Sequence, residues 1–228
     1  MEDQIKNLID FHKKAEKLKT TTRHSWLTDS ARQESVAEHS WMLCLLALLL
    51  ADKIETKVDL LKVLKMLIIH DLAEVVTGDI PSHEVSTRQE NKYESEKKAF
   101  KGLVDSLPKE KANEIVALWE EFEKKETPEA KFGNSLDKVE AVMQHNLSDI
   151  STWDQGDFNV HPYYKDRYFD FDSFMRAFKD VVDDQSMKKI LGAKAEDRID
   201  VKHLERYRKD VKPLNLFRDP YTSFKRSK

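Results

Sequence analysis

The sequence predicts an all-α protein. Apolar residues recur at helical spacing in almost every segment, and strand-like alternation is confined to short ambiguous runs. Helix start and stop signals also punctuate the chain at helix-length intervals. Ile5, Leu8, Ile9 and Phe11 open a first helix that reaches about Lys19. A polar stretch from Thr20 to Glu34 follows. Ser35-Val36-Ala37-Glu38 has the form of a capping box and begins a helix with His39, Leu43, Leu46 and Leu50 on its inner stripe. A third helix is expected from Asp59 to Val76, with Val63, Leu67, His70 and Glu74 on one stripe. Gly78 stops it and Pro81 marks the exit.

Ser86 to Leu107 reads as a highly charged helix that ends at Pro108, and Glu110 to Lys125 as another. Pro128 starts a helix that runs through Leu136, Val139, Met143 and Leu147. Residues 154–172 are aromatic and acidic with no clean period. Short helices are expected at Phe174 to Val182, Ser186 to Leu191 and Val201 to Lys209, before a frayed or partner-dependent tail, FRDPYTSFKRSK. The division is a domain over 1–155 and a C-terminal helical extension over 156–228, packed on that domain or lidding it.

Composition removes whole classes of function. With 39 Lys+Arg against 42 Asp+Glu, the chain lacks the basic field of a nucleic-acid polymer binder. Five glycines in 228 residues leave no Walker A or GxGxxG loop. The longest apolar run, Trp41 to Ala51, has 11 residues, against the ~18–20 a membrane helix needs. A lone cysteine, Cys44, within an apolar run and no signal-peptide pattern point to the cytoplasm. His145 and His161 have no partner at ligand spacing.

Polar residues on apolar stripes are the informative anomaly. His39 interrupts the leucine stripe of its helix. His70, Asp71 and Glu74 interrupt MLIIHDLAEVV, and Asp137 interrupts a later amphipathic helix. Buried charges are costly unless paired or bound to metal. Two His and two Asp form a mixed nitrogen and oxygen set that suits a divalent ion such as Mn, Co, Ni, Zn or Fe better than Ca. Such a centre suits metal-assisted hydrolysis.

The order SVAEH, IIHDLAEVVTGDIP and EAKFGNSLDKVEA resembles the HD superfamily of metal-dependent phosphohydrolases, and within it the 5'-deoxynucleotidase branch, over about residues 1–155. The resemblance implies an HD-domain helical bundle holding one divalent metal ion (Mn, Co, Ni, Zn, Fe or Mg) on His39, His70, Asp71 and Asp137. It places the catalytic carboxylates at Glu74 and Asp79, and substrate contacts at Arg23, Trp26 and Arg32. The implied activity is hydrolysis of (deoxy)ribonucleoside 5'-monophosphates, with a small-molecule nucleotide substrate, no membrane partner and a homodimer. The aromatics Phe158, Tyr163, Tyr164, Tyr168 and Phe169 then cover a dimer interface or form a lid. Two alternatives share these residues. One is an HD-type phosphodiesterase or guanosine-tetraphosphate hydrolase, which commonly uses further histidines between Asp71 and Asp137, where this chain has only His83. The other is a non-catalytic metal-binding regulatory module.

Overall fold

The computed structural model describes residues 1–210; the FRDPYTSFKRSK tail lies outside them. In chain order the elements are α1 (Glu2–Ala15), β1 (Thr22–Trp26), β2 (Gln33–Ser35), α2 (Val36–Leu50), α3 (Leu60–Ile69) and α4 (Glu74–Thr77). Then come α5 (Thr87–Glu90), α6 (Lys92–Val104), α7 (Lys109–Lys124), α8 (Pro128–Leu147), α9 (Gln155–Val160), α10 (Ser173–Gly192) and α11 (Val201–Asp210). The molecule is a helical bundle, as predicted, with one departure: the polar stretch before α2 is an antiparallel hairpin. Thr22 pairs with Ser35 and Trp26 with Gln33. The hairpin escaped the sequence because it lines a polar cavity and buries Ser25 and Glu34 rather than an apolar face.

The start of α2 follows its sequence signal. Ser35 Oγ accepts from the Glu38 amide at 3.2 Å, and the Glu38 carboxylate accepts from the Ser35 amide at 2.9 Å. Such a cap is typically worth about 1 kcal/mol. The core lies around α8, which packs against α2, α3, α7 and α10. Leu43, Val63, Met66, Leu67, Phe132, Leu136 and Val139 are fully buried there. Gly133 lets α8 approach α7 closely, since a Cβ at this position would stand 3.0 Å from Phe122. Phe169, Met175 and Val182, all beyond residue 155, belong to the same core. A second cluster joins Leu72 and Ala73 to Phe100, Leu103 and Trp119.

Three further sequence expectations change. The helices expected at Phe174 to Val182 and Ser186 to Leu191 are one continuous helix, α10. Of the aromatics expected to face a partner or form a lid, Phe158 and Phe169 are fully buried. The helix expected from Asp59 to Val76 is broken at His70. Its continuation would require the Glu74 amide to bond the His70 carbonyl. Instead Trp119 Nε1 donates to that carbonyl at 3.1 Å, and the Glu74 amide bonds Asp71 O at 3.0 Å. Between Ile69 and Val76 the chain tightens into successive i to i+3 turns, a distortion common at functional sites. No helix among the described residues is long and apolar enough to cross a membrane.

Candidate active site

A cavity of about 370 Å³ opens between β1, the α3–α4 break, α6, α8 and the segment around α9. That size suits a small ligand. His70 and Asp71 line it from the break and Asp137 from α8, while His39, wholly buried on α2, stands directly behind Asp71 and Asp137. His39 Nε2 lies 3.3 Å from Asp137 Oδ1 and 3.9 Å from Asp71 Oδ2. His70 Nε2 lies 3.0 Å from Asp71 Oδ2.

The other nitrogen of each ring is already committed. His39 Nδ1 meets Glu140 Oε2 at 2.5 Å, and His70 Nδ1 meets the Leu67 carbonyl at 2.9 Å. Such outer partners fix the ring orientation and leave Nε2 for a ligand, as in many metal sites. Both Nε2 atoms are buried and lack a hydrogen-bond partner. Burial opposes a charged His39, yet Glu140 and Asp137 outweigh it and raise its pKa to about 10. The carboxylates thus call for positive charge at this point. Two orphaned imidazole nitrogens facing two carboxylates fit a divalent cation.

Around this set the charges alternate. Arg23 Nη1 lies 3.3 Å from Asp71 and 3.7 Å from Asp79, and Arg23 Nε lies 3.5 Å from Glu34. Lys138 Nζ bonds Asp137 at 2.6 Å. Glu74, 2% exposed, has Lys92 as a counter-charge at 3.8 Å, and Arg23 also acts on it. Burial, then repulsion from Asp71 and Asp79, pushes its carboxyl well above the usual carboxylate range. A buried acid pushed upward beside neighbouring carboxylates is a pattern of proton-transfer sites.

The structure therefore brings His39, His70, Asp71, Asp137, Glu74, Asp79 and Arg23 together. Trp26 and Arg32 are not among the residues lining the cavity. The Trp26 carbonyl accepts from Gln144, and Arg32 makes a two-pronged pair with Glu38 at the surface. Sequence reasoning missed Glu140, although it sits three residues after Asp137 on the same helix face. It also missed Glu34, Lys92 and Lys138, which carry no motif of their own. His24, His83, His145, His161 and Asp157 line the same cavity. The absence of partners expected for His145 and His161 is thereby corrected: Asp157 Oδ1 lies 3.4 Å from His145 Nε2 and 3.0 Å from His161 Nε2.

Residues 15–178 match the HD domain family. The chain is 34% identical over 147 residues to the 5'-deoxynucleotidase HDDC2 of Dictyostelium discoideum, covering 61% of this chain and 76% of that protein. It is 34% identical to the 5'-deoxynucleotidase hdd1 of Schizosaccharomyces pombe, covering 60% and 70%. Among solved structures it resembles a predicted metal-dependent phosphohydrolase from Magnetospirillum magnetotacticum, at a TM-score of 0.71 and 30% identity. That likeness covers 82% of this chain and 95% of the other. Taken with the His39, His70, Asp71 and Asp137 constellation, these matches make the chain a member of the HD domain family.

Proposed function

We propose that this protein is a metal-dependent phosphomonoesterase that hydrolyses (deoxy)ribonucleoside 5'-monophosphates to nucleoside and phosphate. The observation that carries the reading is the pair of orphaned Nε2 atoms on His39 and His70, facing Asp71 and Asp137 beside the buried Glu74, whose carboxyl is pushed upward by burial. The relatives named as 5'-deoxynucleotidases support the substrate class. His39, His70, Asp71 and Asp137 would hold a divalent cation, which would supply Lewis-acid charge for a phosphoryl oxygen and for the attacking water.

The remaining work falls to this chain's own side chains. Glu140 and the Leu67 carbonyl hold the two imidazoles in orientation. Arg23 and Lys92 supply positive charge against a phosphate entering a cavity that already holds Asp71, Asp79 and Asp137. Glu74 and Asp79 are the proton-handling carboxylates, and the raised pKa of Glu74 lets it carry a proton that an ordinary carboxylate would release. Tyr164 and Tyr168, from the segment after α9, line the cavity and narrow its access to water.

A phosphate-release panel with added Mn, Co or Mg tests the reading. Deoxyribonucleoside 5'-monophosphates are expected to be the best substrates, with triphosphates and cyclic nucleotides poor. Discrimination against the 2'-hydroxyl is expected at roughly 1–3 kcal/mol, the cost of a polar group left without a partner. Cyclic nucleotides turning over faster than monophosphates would replace this reading with a phosphodiesterase.

A further inference from the structure

Beside the HD residues, His24, His83 and Asp157 line the same cavity and, with the exposed Asp154, form a second group of histidines and carboxylates that the proposed reaction does not use. His24 follows Arg23 on β1, His83 lies in the loop after α4, and Asp154 and Asp157 stand at the start of α9. His24 Nε2 is 3.1 Å from Asp157 Oδ2 and 3.4 Å from Asp154 Oδ2, and His83 Nε2 is 3.3 Å from Asp154 Oδ2. One ligand atom from each of the four residues lies within 4.8 Å of all the others. A tetrahedral ion with bonds of ~2.0–2.2 Å places its ligand atoms roughly 3.3–3.6 Å apart. The observed separations are close to that figure.

The donors are also held in place. The two aspartates form a reciprocal capping box: Asp154 Oδ1 accepts from the Asp157 amide at 3.0 Å, and Asp157 Oδ2 from the Asp154 amide at 2.9 Å. Asp154 Oδ2 is left facing both imidazoles. Gly156 makes room for His83, since a Cβ there would stand 2.3 Å from the imidazole ring. Behind Asp157, His161 Nε2 approaches Oδ1 at 3.0 Å.

His145 provides an independent observation. Its Nδ1 donates to the Ala141 carbonyl at 2.8 Å, which leaves a lone pair on Nε2. That atom is buried without a hydrogen-bond partner, 3.4 Å from Asp157 Oδ1. This orphaned imidazole atom is aimed at the carboxylate that closes the four-residue group.

We infer that His24, His83, Asp154 and Asp157 form a second divalent-cation site in the cavity, separate from the HD residues. Two imidazoles and two carboxylates select a borderline transition ion such as Zn, Co, Ni or Mn over Ca. The ion would tie β1, the loop after α4 and the start of α9 together at the cavity wall. The stoichiometry becomes two cations per chain rather than the single one the sequence implies.

The test is metal stoichiometry on the full chain, stripped with chelator and titrated with Co²⁺, with bound cobalt measured after desalting. Wild type is expected to bind two equivalents, His24→Ala/His83→Ala one, Asp137→Asn one, and the combined variant none. His83→Gln preserves volume and is expected to weaken the second equivalent at least tenfold while keeping the wild-type circular dichroism. A single equivalent in wild type that Asp137→Asn abolishes would overturn the second site, as would two undiminished equivalents in His24→Ala/His83→Ala. Two equivalents in Asp137→Asn and one in His24→Ala/His83→Ala would sustain this site while removing the HD centre on which the proposed function rests.

Discussion

Asp137→Asn is expected to abolish turnover of nucleotide monophosphates and to remove the cation assigned to the HD residues. Asp137 is 9% exposed, with His39 Nε2 3.3 Å away. Burial works against its ionisation, but Lys138, His39 and His70 overcome this and hold its pKa well below the usual carboxylate range. It is therefore a permanent anion where two imidazole lone pairs converge. The asparagine variant keeps the volume and removes the charge, leaving Lys138, whose side chain is 24% exposed, without its ionic partner. A stability loss of about 1.5–3 kcal/mol is expected from the lost charged hydrogen bond. Metal content and activity must therefore be read on folded protein, verified by circular dichroism. Full turnover with an undiminished metal equivalent would show that Asp137 serves only Lys138.

Glu74→Gln separates the chemistry from the metal. The variant is expected to keep its fold and its cation, to leave KM little changed, and to lower kcat by ~10²–10⁴-fold, the usual contribution of a positioned acid or base. The alternative is a helix-steadying ion pair with Lys62, Lys65 or Arg32, but the structure commits those groups elsewhere. Lys62 pairs with Glu121, Lys65 with Glu114 and Arg32 with Glu38. Only Lys92 approaches Glu74, and it also lies 3.5 Å from Glu96. If Glu74 serves stability alone, the glutamine variant will melt at a lower temperature and retain wild-type kcat per folded molecule.

The helices were legible because each is amphipathic and punctuated: the Ser35 cap, Gly78 and Pro128 all stand at helix boundaries in the structure. The HD residues were legible for a related reason, since charges at otherwise apolar positions have few structural explanations. The break at His70 was not, because its cause is Trp119, 49 residues away, taking a backbone carbonyl. The β1–β2 hairpin was hidden because its inward side chains are polar. The histidine group around Asp157 was invisible for the most general reason. His24 and Asp157 are 133 residues apart, and the contact exists only once α9 folds back against β1. Local spacing reveals ligands that share a helix, whereas ligands gathered from loops leave no periodic trace.

The central claim is that the HD residues use a divalent cation to release phosphate from nucleoside 5'-monophosphates. The most direct measurement is inorganic phosphate released from a deoxyribonucleoside 5'-monophosphate by chelator-stripped protein, before and after adding Mn²⁺ or Co²⁺. The account predicts no release above background from the stripped protein and full turnover once metal is restored. Undiminished release from protein verified to be metal-free, or no release with any metal, would contradict it.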